Sequence, residues 1–425
     1  MSEQIRAAVI HPNLKGRVVQ RRLPENALAE AVSLAEALDL EIKAALVVPI
    51  SKPKAGELFG SGKVEELDAA FKADDVELVI VDGLLSPIQQ RNLEERWHVK
   101  VLDRTGLILE IFGDRAATRE GVLQVDLAHL TYQKSRLVRS WTHLERQRGA
   151  MGTVGGPGET QIESDRRAIS DAIIRIKTQL SKVVKTRALH RAARKKIPYP
   201  IVALVGYTNA GKSTIFNKMT GASVLEKDML FATLDPTMRS IELPSGRKVI
   251  LSDTVGFISN LPTQLIAAFR ATLEEVLDAD LILHVRDISH VDTEAQAKDV
   301  QEILESLGVK DAQAENMVEV WNKTDMMQPE DRKAMQAIAQ RSDKICAISA
   351  TKDLGFDDLY AKIEAGLEEP MLEEVLALSF AEGRERAWLF SNNLVTSEEM
   401  GETGYSVSVC WTSKQKRQFT NLSCT

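Results

Sequence analysis

The chain has 425 residues, 44% hydrophobic and 27% charged, with a formal net charge of -7. That length exceeds what one hydrophobic core organises, so about two to four domains are expected. No apolar run reaches the roughly 20 residues of a membrane-spanning helix, and the N-terminus MSEQIRAAVIHPNLKGR lacks the apolar core of a secretion signal, so a cytoplasmic protein is expected. Cys346, Cys410 and Cys424, with no CxxC spacing, argue against both a disulfide framework and a zinc site.

Residues 1 to about 112 alternate short apolar runs (RAAVIHP, KAALVVP, VELVIVDG, HVKVLD) with helical stretches such as ENALAEAVSLAEAL. This rhythm predicts an α/β domain with a mainly parallel sheet. GSGK at Gly60 to Lys63 invites a phosphate-loop reading, but it lacks a following Ser/Thr and the four-residue gap between flanking glycines. A strand-to-helix turn is the expectation there.

From Leu123 the period changes. Leu123, Leu127, Leu130, Leu137, Trp141 and Leu144 fall on heptad a and d positions, with Lys134 the polar intruder; Ile169, Ile173, Ile176, Leu180 and Val183 form a second stripe. Two antiparallel helices zipped along these stripes would make a long hairpin arm. Between them GAMGTVGGPGETQ, Gly149 to Gln161, reads as a glycine-rich tip, in which Gly149, Gly152, Gly155, Gly156 and Gly158 allow flexibility or close approach to a partner.

Charge singles out the same region. Residues 131 to 200 hold 16 Lys+Arg against 5 Asp+Glu, and the stretch from Lys182 to Lys196 holds seven basic residues and no acidic one. A basic segment on an acidic chain is the footprint of polyanion contact, although a solvated charged helix face has the same composition.

IVALVGYTNAGKST runs from a buried strand into Gly206-x4-Gly211-Lys212-Ser213. In such a loop, backbone N–H groups from Gly206, Tyr207, Thr208, Asn209, Ala210 and Gly211 wrap phosphates. Lys212 neutralises the β- and γ-phosphates, the Ser213 hydroxyl ligates magnesium, and Thr214 completes the motif. NKTD places Asn322, Lys323, Thr324 and Asp325 behind another apolar run, with the Asp325 carboxylate suited to guanine N1 and N2. SAT at Ser349, Ala350 and Thr351 follows, its Ala350 backbone placed for the guanine oxygen.

FATLDPT contributes Phe231, Ala232, Thr233 and Leu234; Thr233 is the candidate that closes on magnesium and the γ-phosphate, with Thr237 its competitor. In DTVGF, Asp253 would hold magnesium through water, Thr254 and Val255 follow, and the Gly256 N–H would meet the γ-phosphate. Lys212, Thr233 and Gly256 are the expected catalytic set, and Ser213, Thr233 and Asp253 the expected Mg2+ set. Phe257 stands where many such switches carry a water-orienting glutamine.

GYTNAGKST, FATLDPT, DTVGFI and NKTD, with GGPGETQIESDRR, LDRTGLILEIF and LVRSWTHLERQRG, resemble the HflX family of translational GTPases over about residues 5 to 370. The GPGETQIE string is specific to that family, whereas the nucleotide boxes alone identify only the GTPase superfamily. The resemblance implies an N-terminal α/β domain and a helical arm beside the GTPase domain. It implies a ribosome-associated enzyme acting on the large (50S) subunit and its rRNA to split or rescue stalled ribosomes under stress. Assembly of the large subunit and a non-hydrolysing occupancy switch are the alternatives. It further implies that an apolar residue at Phe257 is normal, with slow intrinsic hydrolysis stimulated by the ribosome. Asn209 matches a position that holds potassium in related GTPases, while Gly156 departs from the arginine familiar before GPGE.

The last segment, with AWLF and alternating Tyr405, Val407, Val409 and Trp411, suggests a small α+β domain. The expected class is thus multidomain α/β. It comprises an N-terminal α/β domain at 1–120, a long antiparallel helical hairpin arm at 121–197, a P-loop Ras-like GTPase domain at 198–369, and a small C-terminal α+β domain at 370–425. A monomer is expected.

Overall fold

The computed structural model describes residues 4–15, 22–147, 157–194, 199–221, 231, 237–259, 276–309, 316–368, 372–401, 403–412, 415–416 and 419–420; for 138–147, 157–162 and 184–194 it describes the backbone alone. They form two compact units, Met1–Lys362 and Ile363–Thr425.

The first unit opens with a four-stranded parallel sheet of β1 (Arg6–Leu14), β2 (Glu41–Ile50), β3 (Leu78–Val81) and β4 (Lys100–Asp103), in the order β2-β1-β3-β4. Strand alternation divides its apolar residues between two faces. Ala7, Val9, Leu78 and Ile80 face one core, with Leu34 and Ala35 of α1 (Pro24–Glu36) and Ile108, Ile111 and Phe112 of α4 (Arg104–Arg115). Ala8, Ile10, Val79 and Val81 face the other, against α2 (Ser61–Ala73) and α3 (Pro87–Trp97).

The helix starts are written locally. Ser86 and Gln89 form a reciprocal capping box on α3, and the Asp103 carboxylate accepts from the Gly106 N–H to cap α4. In GSGK, Gly60 is the N-cap of α2 and Lys63 pairs with Glu66, so this segment is the turn the sequence suggests.

Helices α5 (Arg119–Gln147) and α6 (Pro157–Arg194) follow and pack against each other. Ile173 is buried, and Ile169, Ile176, Leu180 and Val183 are half-buried, so the second stripe is the contact face. One expectation is corrected: the glycine-rich connection is not irregular through Gln161, because α6 begins at Pro157. Proline lacks only a donor that the first helical turn leaves unused, and its fixed φ suits that turn. Gly158 therefore lies in the α6 backbone, while Gly149, Gly152, Gly155 and Gly156 lie outside the described residues, as do the side chains of Trp141, Leu144 and most of the basic run.

A six-stranded sheet comes next, in the order β10-β9-β8-β5-β7-β6. Its strands are β5 (Ile201–Gly206), β6 (Thr237–Glu242), β7 (Lys248–Asp253), β8 (Leu281–Asp287), β9 (Met317–Asn322) and β10 (Ile345–Ala347). All pair in parallel except β6 with β7. Helices α7 (Lys212–Thr220), α8 (Thr293–Leu307), α9 (Pro329–Gln340) and α10 (Phe356–Leu367) alternate with the strands. The core of α4 continues into this layer through Tyr207, Phe231, Val255, Phe257 and Ile258.

The second unit holds an antiparallel sheet, β11 (Leu372–Ser379), β13 (Gly404–Trp411) and β12 (Val395–Met400), with α11 (Gly383–Ser391). Val407, Val409 and Trp411 of the sequence alternation are buried around Leu389. Among the described residues no helix is long and apolar enough to cross a membrane.

Trp97 closes the α2–α3 face. It is 1% exposed, meets Phe71 edge-on at 5.2 Å, and donates its indole N–H to Val64 O. Trp97→Ala should cost about 3–5 kcal/mol of stability, read as a lower urea midpoint; a loss under about 1 kcal/mol would contradict this packing.

Candidate functional site

The loop after β5 is shaped by two glycines. Gly206 has φ +154°, and a Cβ there would meet Val285 O at 2.2 Å; Gly211 has φ +93°, and its Cβ would meet Asn322 Nδ2 at 2.2 Å. Any other residue would clash with backbone or with the neighbouring box. Asn209, exposed at the crest, takes φ +59°, a left-handed conformation that asparagine tolerates.

Lys212 is 6% exposed and donates to Gly206 O (3.1 Å) and Tyr207 O (2.8 Å). An ammonium has three protons, so this anchoring aims the side chain along the loop and leaves one donor for an anion. Burial lowers the Lys212 pKa to about 8, with nearby Asp253 drawing it partly back. The Ser213 hydroxyl donates to Asp253 Oδ2 at 2.8 Å, which brings a hydroxyl and a fully buried carboxylate together at the start of α7. Thr254 fastens the next turn by donating to Leu204 O.

Asn322 bolts the boxes to one another. Its Nδ2 donates to Ala210 O and its Oδ1 accepts from the Ala350 N–H. Lys323 sits at φ +63° and pairs with Asp287 at 2.9 Å; Thr324 donates to Ile348 O. Asp325 accepts from the Ser349 hydroxyl at 2.5 Å and the Thr351 hydroxyl at 3.4 Å. The Ser349 bond holds the Asp325 carboxyl below its ordinary pKa, so it stays an ionised acceptor. Asp287 was not singled out in the sequence: nothing but its place at the end of LILHVRD marks it.

The segment Asp253 to Ser259 lies along the loop. Thr208 N–H donates to Phe257 O at 2.8 Å, and Phe257 N–H donates to Gly206 O at 3.1 Å, a parallel bridge between the segments. A Cβ on Gly256 would stand 2.8 Å from Thr208 Cγ2 and 3.2 Å from Lys212 Nζ, so this turn closes directly over the lysine. Phe257 is 1% exposed, its ring in the apolar core with Val255 and Ile258. Thr237 begins β6 opposite Asp253. Phe231 is buried, while Ala232, Thr233 and Leu234 lie outside the described residues.

The geometry brings together the phosphate loop, DTVGF, NKTD and SAT; of FATLDPT only Phe231 and Thr237 are among the described residues. Among the described residues no group of three or more His, Cys, Asp or Glu could hold a metal. One carboxylate beside one hydroxyl is the sparse oxygen set that suits Mg2+, which keeps waters and phosphate oxygens as its other ligands.

Family models cover most of the chain: "GTP-binding GTPase N-terminal" matches residues 25–113, "GTP-binding GTPase Middle Region" 115–194, and "50S ribosome-binding GTPase" 201–323. A protein of Magnetococcus marinus named GTPase HflX is 48% identical over 90% of this chain and 88% of its own. The GTPase HflX of Escherichia coli is 41% identical over 90% of this chain and 88% of its own. A solved complex of SsGBP with GDP is similar at TM-score 0.49 and 22% identity, covering 85% of this chain and 98% of that one.

Two predictions follow from Lys212 and Phe257. Phosphate binds the ammonium form, which the ligand-free protein loses as pH rises through about 8. GDP affinity should therefore fall by up to about tenfold per pH unit above that point and be flat with respect to this group below it. Lys212→Arg, which keeps its charge, should remove that slope in calorimetric titrations if it binds, and an equal slope would refute the assignment. Phe257→Gln should not accelerate hydrolysis. It would place an amide in apolar core and lower stability by about 1–3 kcal/mol, so a faster single-turnover rate with unchanged melting would overturn the placement.

Proposed function

The chain belongs to the HflX family of GTPases, and from that premise we propose that it binds the large ribosomal subunit and couples GTP hydrolysis to splitting or rescuing ribosomes. It hydrolyses GTP to GDP and phosphate. Backbone N–H groups from Gly206 to Gly211 and the third proton of Lys212 receive the phosphates; Ser349, Ala350, Thr351 and Asp325 receive the guanine. Ser213 and Asp253 would hold Mg2+, joined by Thr233 when triphosphate is bound. The ion neutralises charge on phosphate oxygens during transfer. Asn209, exposed at the crest of the phosphate loop, is the residue for potassium.

The observation that carries the ribosome reading is Phe257. The position that could orient water is an apolar ring folded into the core, so the described residues offer no side chain there for that role. Partner-supplied positioning and charge can be worth roughly 10³ to 10⁵ in rate. The polyanion-directed charge of residues 131 to 200 favours rRNA as the surface that the arm meets. The large-subunit assembly reading shares all these features and differs in outcome: depletion would leave immature particles in place of stalled ribosomes.

Steady-state GTP turnover with and without purified large subunits, in potassium and in sodium, tests this. Turnover should rise by at least about tenfold with subunits, well within the range partners supply. Turnover unaffected by subunits would sink the proposal.

A further inference from the structure

The N-terminal sheet has a topological switch point between β1 and β3, the place where open α/β sheets receive ligands beyond their strand ends. Here that crevice is filled by the protein itself. Asp82, after β3, accepts from Arg104 at 2.5 Å and contacts His11 at 2.7 Å. Arg104 also pairs with Glu30 and donates to both Ser259 O (3.1 Å) and Ser259 Oγ (3.0 Å). Glu30 accepts from the Ser259 hydroxyl at 3.0 Å and the Tyr207 hydroxyl at 2.5 Å. The Tyr207 oxygen in turn accepts from the Ser259 N–H at 2.7 Å and from Arg22 at 2.8 Å.

Tyr207 belongs to the phosphate loop, and Ser259 lies three residues beyond Gly256. The crevice therefore grips the loop and the γ-phosphate-facing turn at once. Burial opposes ionisation of Glu30, but Arg104 and Arg22 more than offset it and keep the carboxylate charged. At the other end of α4, Phe112 meets Phe231 edge-on at 4.6 Å. One helix thus touches both segments expected to move with nucleotide.

The residue before Arg104 faces the arm. Asp103, 1% exposed, caps α4 and accepts from the Tyr132 hydroxyl of α5 at 2.8 Å; its second oxygen pairs with Arg136 of α5. Two adjacent residues thus join the arm, by Asp103, to Ser259, by Arg104. A shift of α5 that pulls on Asp103 moves the start of α4, and with it the guanidinium that holds Ser259.

We propose that Asp103 and Arg104 are positioning residues that couple the arm to the nucleotide site, with the switch-point crevice serving as the receptor for Ser259 and Tyr207. Coupling of this kind is reciprocal: nucleotide biases the arm, and an arm that engages a partner biases the turn carrying Gly256. This inference rests on nucleotide binding alone and stands apart from the identity of the arm's partner.

The test is made on the full free chain with a double-mutant cycle. Tyr132→Phe removes one bond to Asp103 from α5, and Ser259→Ala removes the hydroxyl held by Arg104 and Glu30. Dissociation constants for GDP and a non-hydrolysable GTP analogue are measured by fluorescent-nucleotide titration. Tyr132→Phe should change the ratio of the two constants by about threefold or more, within the span of measured couplings, and that change should shrink in the Ser259→Ala background, where the bond from Arg104 to the Ser259 carbonyl remains. A merely structural role would shift both constants together. An unchanged ratio, or an equal change in both backgrounds, overturns the proposal. If Tyr132→Phe does not fold, Arg136→Lys is read against the same two outcomes.

Discussion

A guanidinium withdrawn from water must be met by carboxylates, and the first unit of this protein is arranged around that requirement. Arg104 is 6% exposed and lies between Asp82 and Glu30. Each carboxylate thus shares in compensating one buried charge, which would be costly to leave unpaired. Ser259 and Tyr207, from the loops that follow β7 and β5, add further bonds to this cluster. The N-terminal layer and the nucleotide layer consequently share one polar cluster as well as one apolar core, from Ile108 and Phe112 to Val255 and Phe257.

The same dependence explains why parts of the chain were legible and others were not. The apolar runs that became β1 to β4 and the phosphate loop are local: each is decided by residues within a few positions. The stripe from Ile169 to Val183 was readable for the same reason. The Glu30–Ser259 bond joins residues 229 apart in sequence, and Arg104 reaches Ser259 across 155. No periodicity encodes such a meeting. Glu30 reads as an ordinary helix-face glutamate, Ser259 as a loop serine. The α6 start was missed because glycine density outweighed the one residue, Pro157, that marks a first helical turn.

Within the nucleotide site, sequence identified residue types more reliably than their tasks. Asn322 was read as part of the base-recognition box, yet both ends of its amide bind protein, at Ala210 and Ala350. It sets the distance between the phosphate loop and the Ser349–Thr351 loop. Tyr207 likewise belongs to the loop by its backbone, which Lys212 uses, and to the neighbouring layer by its phenol. A motif pattern lists positions; the division of labour between backbone and side chain is a property of the fold.

Phe257 joins these observations. A glutamine at this place would need solvent and freedom to swing; a phenylalanine needs burial, which the apolar cluster around Val255 and Ile258 provides while the backbone bridge to Gly206 and Thr208 fixes its position. Anchoring that ring fixes the backbone on either side, Gly256 toward Lys212 and Ser259 toward Arg104. The mechanical connection is what the geometry shows: the turn from Gly256 to Ser259 is held by Arg104 at the start of α4, and the neighbouring Asp103 is bonded to α5.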